Sequence, residues 1–147
     1  MMCNITAKEY LSQAWRLDEH INTKVQMLSS LNDLALKCTS TISDMPRNPS
    51  GTTSRLEDTV LKIISLQEEI NTAVDRLVDL KAEISTVISQ VPGEDKRLLL
   101  EKRYICNLGW DEIAEQLHVT SRYVYKLHGF ALIEVQKILD RHELDSK

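Results

Sequence analysis

Glycine, proline and cysteine are scarce, at 4, 3 and 3 residues among 147. Pro46, Pro49 and Pro92 fall in only two places, which leaves long stretches with nothing to break a helix. Cys3, Cys38 and Cys106 are odd in number, far apart and outside any CxxC or Cys/His ligand spacing. That pattern supports neither a disulfide framework nor a zinc site, and reduced structural cysteines are expected. No apolar run approaches the ~18 residues of a membrane span. The opening MMCNITAKEYLSQ lacks the apolar core of a secretory signal, so a cytoplasmic protein without a membrane partner is expected. Gly-rich phosphate loops are absent, and His20, His118, His128 and His142 form no HxxxH or HExxH pattern. Without such motifs, no cofactor, no metal and no enzymatic activity are expected. A surplus of positive charge is missing too. The net charge is −4, and from Glu94 to Lys147 there are 9 Lys and Arg against 10 Asp and Glu. Any contact with nucleic acid must therefore come from a local patch.

What is present is helical periodicity. With 42% hydrophobic residues the chain has enough apolar side chains for a core. Between Ile5 and Ser43, Ala7, Ala14, Ile21, Leu28, Ala35 and Ile42 recur at sevens. Leu17, Leu31 and Cys38 stand three residues after members of that row, and Leu11 and Val25 four after, which predicts a long amphipathic helix. Ser43 to Thr53, SDMPRNPSGTT, reads as a loop, with Ser54 as N-cap of the next helix and Glu57 as its capping-box partner.

The second helix runs to about Gln90 on three apolar rows. They are Leu56, Ile63, Ile70, Leu77, Ile84 and Val91; Thr59, Leu66, Ala73, Leu80 and Val87; and Val60, Gln67, Val74, Lys81 and Ile88. Three adjacent rows of seven make a face broader than a two-stranded seam needs. At ~1.5 Å per residue each helix is roughly 55 Å long, and the short loop folds them into an antiparallel hairpin. The uncovered flank predicts self-association, as a homodimer in which two hairpins form a four-helix bundle. Asp18, Lys24, Gln67 and Lys81 are candidate polar interruptions that set its register. The alternative is a monomer whose C-terminal part covers the flank. The expected class is all-α: a hairpin over residues 1–92, then a small helix-turn-helix domain over 93–147.

Val91-Pro92-Gly93 ends the hairpin. Glu94 and Asp95 open a third helix, with Leu98, Leu99, Tyr104 and Ile105 on its buried side, which stops near Asn107-Leu108-Gly109. From Trp110 the register is that of a helix-turn-helix. Ile113, Ala114, Leu117, Val119, Val124 and Leu127 fill the positions that pack its two helices, Ala114 being small enough for a close crossing, and Thr120 stands at the second N-cap. The second helix then exposes Ser121, Arg122, Tyr125 and Lys126 early, joined by Tyr123 and Gly129.

In this motif the start of the second helix enters the major groove of double-stranded DNA. Arg122 suits a bidentate bond to a guanine edge, Lys126 a phosphate, and Ser121 and Tyr125 either. The first amides of the helix also favour a nearby phosphate, and His128 lies close enough in sequence to touch DNA. Trp15 and Trp110 read as packing residues. His118 occupies a turn position that usually takes glycine, where the backbone is often left-handed. The same pattern also fits a three-helix core whose polar face only keeps it soluble. The DNA reading is favoured by the joint occurrence of packing positions, short turn, cap and a helix start with two cations and no acid.

Leu99 to Leu139, LLEKRYICNLGWDEIAEQLHVTSRYVYKLHGFALIEVQKIL, resembles region four of bacterial sigma factors. There an LRY-like helix end precedes a W/YxEIAxxL helix and an S/TxxxVYxLxxxAL recognition helix. The layout of a long hairpin followed by this domain resembles the phage-encoded transcriptional regulators of the ArpU/RinA type. That resemblance implies control of phage or prophage genes through promoter DNA, with RNA polymerase as a further partner, and Thr120, Ser121, Arg122, Tyr125 and Lys126 as recognition-helix residues. Nothing resembles sigma region two. Two other functions share the ingredients: a phage small terminase subunit, whose DNA-binding domain usually comes first, and an interaction protein that binds RNA polymerase or a sigma factor without reading DNA.

Overall fold

Long breaker-free amphipathic segments leave the backbone no partner but itself, and the computed structural model is all-α. It describes the backbone of residues 5–44 and 49–145, and the side chains of 5–39 and 54–145. The helices are α1 (Ala7–Asp44), α2 (Pro49–Ser89), α3 (Glu94–Leu100), α4 (Trp110–Leu117) and α5 (Ser121–Asp145), with one π-helical turn, Glu101–Ile105, continuing α3. Thr6 and Glu9 form a capping box at the start of α1. The Thr6 Oγ1 accepts from the Glu9 amide at 3.2 Å, and the Glu9 Oε2 accepts from the Thr6 amide at 3.4 Å. The expected box at Ser54 and Glu57 does not form as a helix start. α2 begins five residues earlier, at Pro49, where the fixed φ and missing N–H of proline suit a first helical position. Residues 45–48 of the expected loop, the side chain of Ile42, and Cys3 lie outside the described residues.

Contacts divide the chain into two compact units, residues 1–16 with 77–147, and residues 17–76. This division falls within α1 and α2, away from the 92/93 boundary read from the sequence. In the first unit the beginning of α1 packs on the end of α2, so the two helices run antiparallel. Ala7, Tyr10, Leu11 and Ala14 meet Ile84, Val87, Ile88 and Val91 in one cluster. Leu100 and Tyr104 join it, as do Ala131, Val135 and Ile138 from the second half of α5. The C-terminal helix thus covers this end of the hairpin. Gln136 on α5 also accepts a hydrogen bond from the Ala7 amide at 2.8 Å, satisfying a donor in the first turn of α1.

The π turn explains how the third helix reaches that core. The Cys106 amide bonds the Glu101 carbonyl at 3.0 Å, five residues back, and the Leu108 amide bonds the Lys102 carbonyl at 3.0 Å. Asn107 then reverses the chain with a left-handed φ of 58°. The Ile105 carbonyl receives the Lys81 Nζ at 3.2 Å. Lys81 thus satisfies a backbone acceptor inside its own chain. Leu98 is exposed, contrary to expectation, while Leu99 and Leu100 are both buried. At the other end of α3, Gly93 adopts a φ of 98°, which a side chain would oppose.

In the second unit the rows facing between α1 and α2 are mostly half-buried, and among the described residues only Ile21 and Leu66 are buried. Lys24 is ion-paired with Glu69 across the two helices at 3.7 Å. Val25, Met27, Leu34, Leu36, Val60, Leu61, Ile64 and Val74 remain exposed. Among the described residues no helix is long and apolar enough to cross a membrane.

Candidate nucleic-acid interface

The helix-turn-helix is built on a small apolar core. Leu99, Ile113, Ala114, Val124 and Leu127 are buried together, flanked by Leu108, Trp110, Leu117 and Val119. All six packing positions read from the sequence thus meet in one cluster, joined by Leu99 from α3. Gly109 precedes α4 in an extended conformation, and its amide donates to the Glu112 Oε2 at 3.1 Å. With Asp111 and Glu112 in the first turn, α4 carries its acids at the positive end of the helix dipole.

The turn closes as the sequence predicts. His118 is left-handed, with φ 59° and ψ 42°. The His118 amide bonds the Glu115 carbonyl at 3.2 Å, and the Val119 amide bonds the Ala114 carbonyl at 3.0 Å. This is the Schellman arrangement, with histidine where glycine is commonest. Thr120 caps α5, its Oγ1 accepting from the Tyr123 amide at 3.1 Å.

The candidate contact residues divide into three groups. Arg122, Tyr125 and Lys126 are exposed and lie within two turns on one side of α5, a spacing that places them on one face. Thr120 and Ser121 are committed locally, Thr120 to its cap and Ser121 through its hydroxyl, which donates to the Asp111 Oδ1 at 3.1 Å. That bond ties the starts of α4 and α5 together and leaves Ser121 half-buried. Tyr123 projects to a different side, onto a notch lined by Asp95, Leu117, Val119 and Leu127.

An aromatic cluster supports the contact face from behind. Tyr125 packs on Trp110 with ring centroids 5.3 Å apart. Trp110 meets the His128 ring edge-on at 4.6 Å, and the Arg103 guanidinium lies 4.3 Å from the centre of the Trp110 ring. Arg103 is further held by donation from its Nη1 to the Leu108 carbonyl at 3.0 Å. His128, expected near DNA, is instead buried, its Nε2 2.6 Å from the Tyr104 hydroxyl. Burial, reinforced by the charges of Lys8 and Arg103, pushes the His128 pKa down to about 4. Burial also pushes the Tyr104 phenol up to about 12. At neutral pH both partners are therefore uncharged, a phenol hydrogen-bonded to a neutral imidazole. Composition and spacing carried no sign of this cluster, because its members come from three different helical segments. Trp110 packs as expected, whereas Trp15 is half exposed. Among the described residues there is no metal-ligating group of three or more His, Cys, Asp or Glu, and Cys38 and Cys106 are free thiols.

A search of curated proteins and a search of solved structures each return no match. A family model described as "Protein of unknown function (DUF1492)" matches residues 36–136, which is 101 of the 147 residues. The matched stretch ends within α5, after the whole helix-turn-helix.

Proposed function

The chain belongs to the DUF1492 family of proteins of unknown function, and we propose that it is a DNA-binding transcription regulator of phage or prophage genes. The observation that carries this reading is the contact face itself. A capped and packed helix-turn-helix leaves Arg122, Tyr125 and Lys126 exposed together at the start of its second helix, with no acid in that helix's first turn. A long planar fork, an aromatic hydroxyl and a flexible ammonium at that position suit a guanine edge and flanking phosphates. Trp110 backs Tyr125, which positions its ring on that face. The phage setting rests on the resemblance of the layout, a long hairpin followed by a sigma region-four-like domain, to phage-encoded regulators.

Self-association belongs to the same proposal. The face carries two cations in a near-neutral surrounding, which gives a single copy little electrostatic affinity. Residues 17–76 offer a dimer surface: Val60, Ile64 and Val74 are exposed on α2, and a groove of about 500 Å³ is lined by Met27, Leu31 and Leu66. Pairing two hairpins into a four-helix bundle covers this surface and links two half-site contacts.

The test is selection of bound duplexes from a random library with the purified chain, followed by titration of the enriched sequence. Arg122→Ala is expected to cost ~1–3 kcal/mol and relax preference at one base pair. Lys126→Ala is expected to weaken all duplexes alike and flatten the salt dependence. Failure of both substitutions to change binding refutes the assignment of the face.

A further inference from the structure

Gly129 has no structural task within this chain. A glycine two turns into a helix lowers stability relative to alanine, so its presence there calls for a reason. It does not supply a left-handed backbone, because among the described glycines only Gly93 has a positive φ. Nor does it end or interrupt the helix, which runs unbroken from Ser121 to Asp145. No neighbour requires the missing side chain either, since a Cβ built at Gly129 meets nothing within 4 Å. The remaining use of glycine is to let something outside the chain approach the backbone.

The position indicates what that is. Gly129 is exposed, seven residues after Arg122, four after Tyr125 and three after Lys126, so it continues their face. At ~1.5 Å per residue it lies about 12 Å along the axis from Ser121. The major groove is about 12 Å wide, so a helix that crosses it from a first turn seated in the groove meets the sugar–phosphate wall near residue 129. α5 has 25 residues and extends well beyond that point. We infer that Gly129 is the point at which the α5 backbone passes in van der Waals contact with a DNA phosphate backbone, and that the absent side chain sets how deeply Arg122 and Tyr125 enter the groove. The inference rests on the DNA-binding reading of this face.

Gly129→Ala separates this contact from every internal role because it moves stability and affinity in opposite directions. The free full-length protein should melt roughly 2–4 °C higher, since alanine fits the open space and favours the helix. Affinity for the selected duplex should fall about tenfold, and further for Gly129→Leu. Arg122→Ala is measured on the same duplex. If Arg122→Ala weakens binding while Gly129→Ala and Gly129→Leu bind like the parent, the inference is overturned and the DNA reading stands. If the parent chain enriches no duplex, both are overturned. A lower melting temperature for Gly129→Ala would also overturn the inference, because it would reveal an internal role.

Discussion

Acidification should weaken the fold through one buried imidazole. His128 is held neutral with a pKa of about 4, against about 6.5 for the same group in an unfolded chain. Between those values the unfolded chain binds the proton and the native chain does not. Stability is therefore fully present above about pH 6.5 and is lost as the pH falls towards 4. At about 1.36 kcal/mol per pH unit, the interval corresponds to about 3 kcal/mol, a large share of the ~5–15 kcal/mol that holds a typical domain together. The cause is structural: the ring is enclosed by Tyr104 and Trp110, and the positive charges of Lys8 and Arg103 oppose a further charge. Urea unfolding followed by far-UV circular dichroism at pH 7, 6, 5 and 4 measures it, with His128→Gln as reference. That variant removes the titrating ring and keeps a polar side chain near the Tyr104 hydroxyl. Carboxylate titrations are common to both proteins and cancel in the difference. The stability of the parent relative to His128→Gln should fall by about 3 kcal/mol between pH 7 and pH 4. A difference that stays constant across this range refutes the neutral-histidine account.

Two further outcomes follow from the same geometry. Thr120→Ala removes the acceptor for the Tyr123 amide and should cost about 1 kcal/mol, read as a lower melting temperature, whereas Thr120→Ser should retain most of it. Sedimentation equilibrium should give a dimer for the parent chain and a monomer for the Val60→Glu, Val74→Glu double variant, because both valines are exposed on one row of α2. A parent that stays monomeric at high micromolar concentration refutes the dimer, and a ring of eight or more subunits favours the terminase alternative.

Much of the fold was legible because periodicity reports local structure directly. The heptad rows gave both long helices, and Ala114, Val124 and Leu127 located the helix-turn-helix core. His118 was recognisable as a strained turn residue, and Thr120 as a cap, since both depend on neighbours a few residues away. Signals that compete locally were harder. Ser54 and Glu57 match a capping box as well as Thr6 and Glu9 do, but Pro49 can begin a helix by itself and moves the start upstream. Long-range partners were not legible at all. Nothing around Lys81 announces that its ammonium meets the carbonyl of Ile105. The role of Ala131, Val135 and Ile138 depends on α5 folding back onto the hairpin end, which is why the contacts do not divide at residue 92. Likewise, a π turn adds one residue to a helical repeat without a marker in composition, yet it positions Arg103 and Tyr104 behind the contact face.

The most direct test of the central claim, that the start of α5 reads the major groove, is dimethyl sulfate footprinting on a duplex selected by the full-length chain. The reagent methylates guanine N7, which lies in the major groove. The account predicts that the parent protein protects guanines in each half-site, and that Arg122→Ala loses protection at one of them while the rest persist. No protection by the parent, or an unchanged pattern with Arg122→Ala at saturating protein, would contradict it.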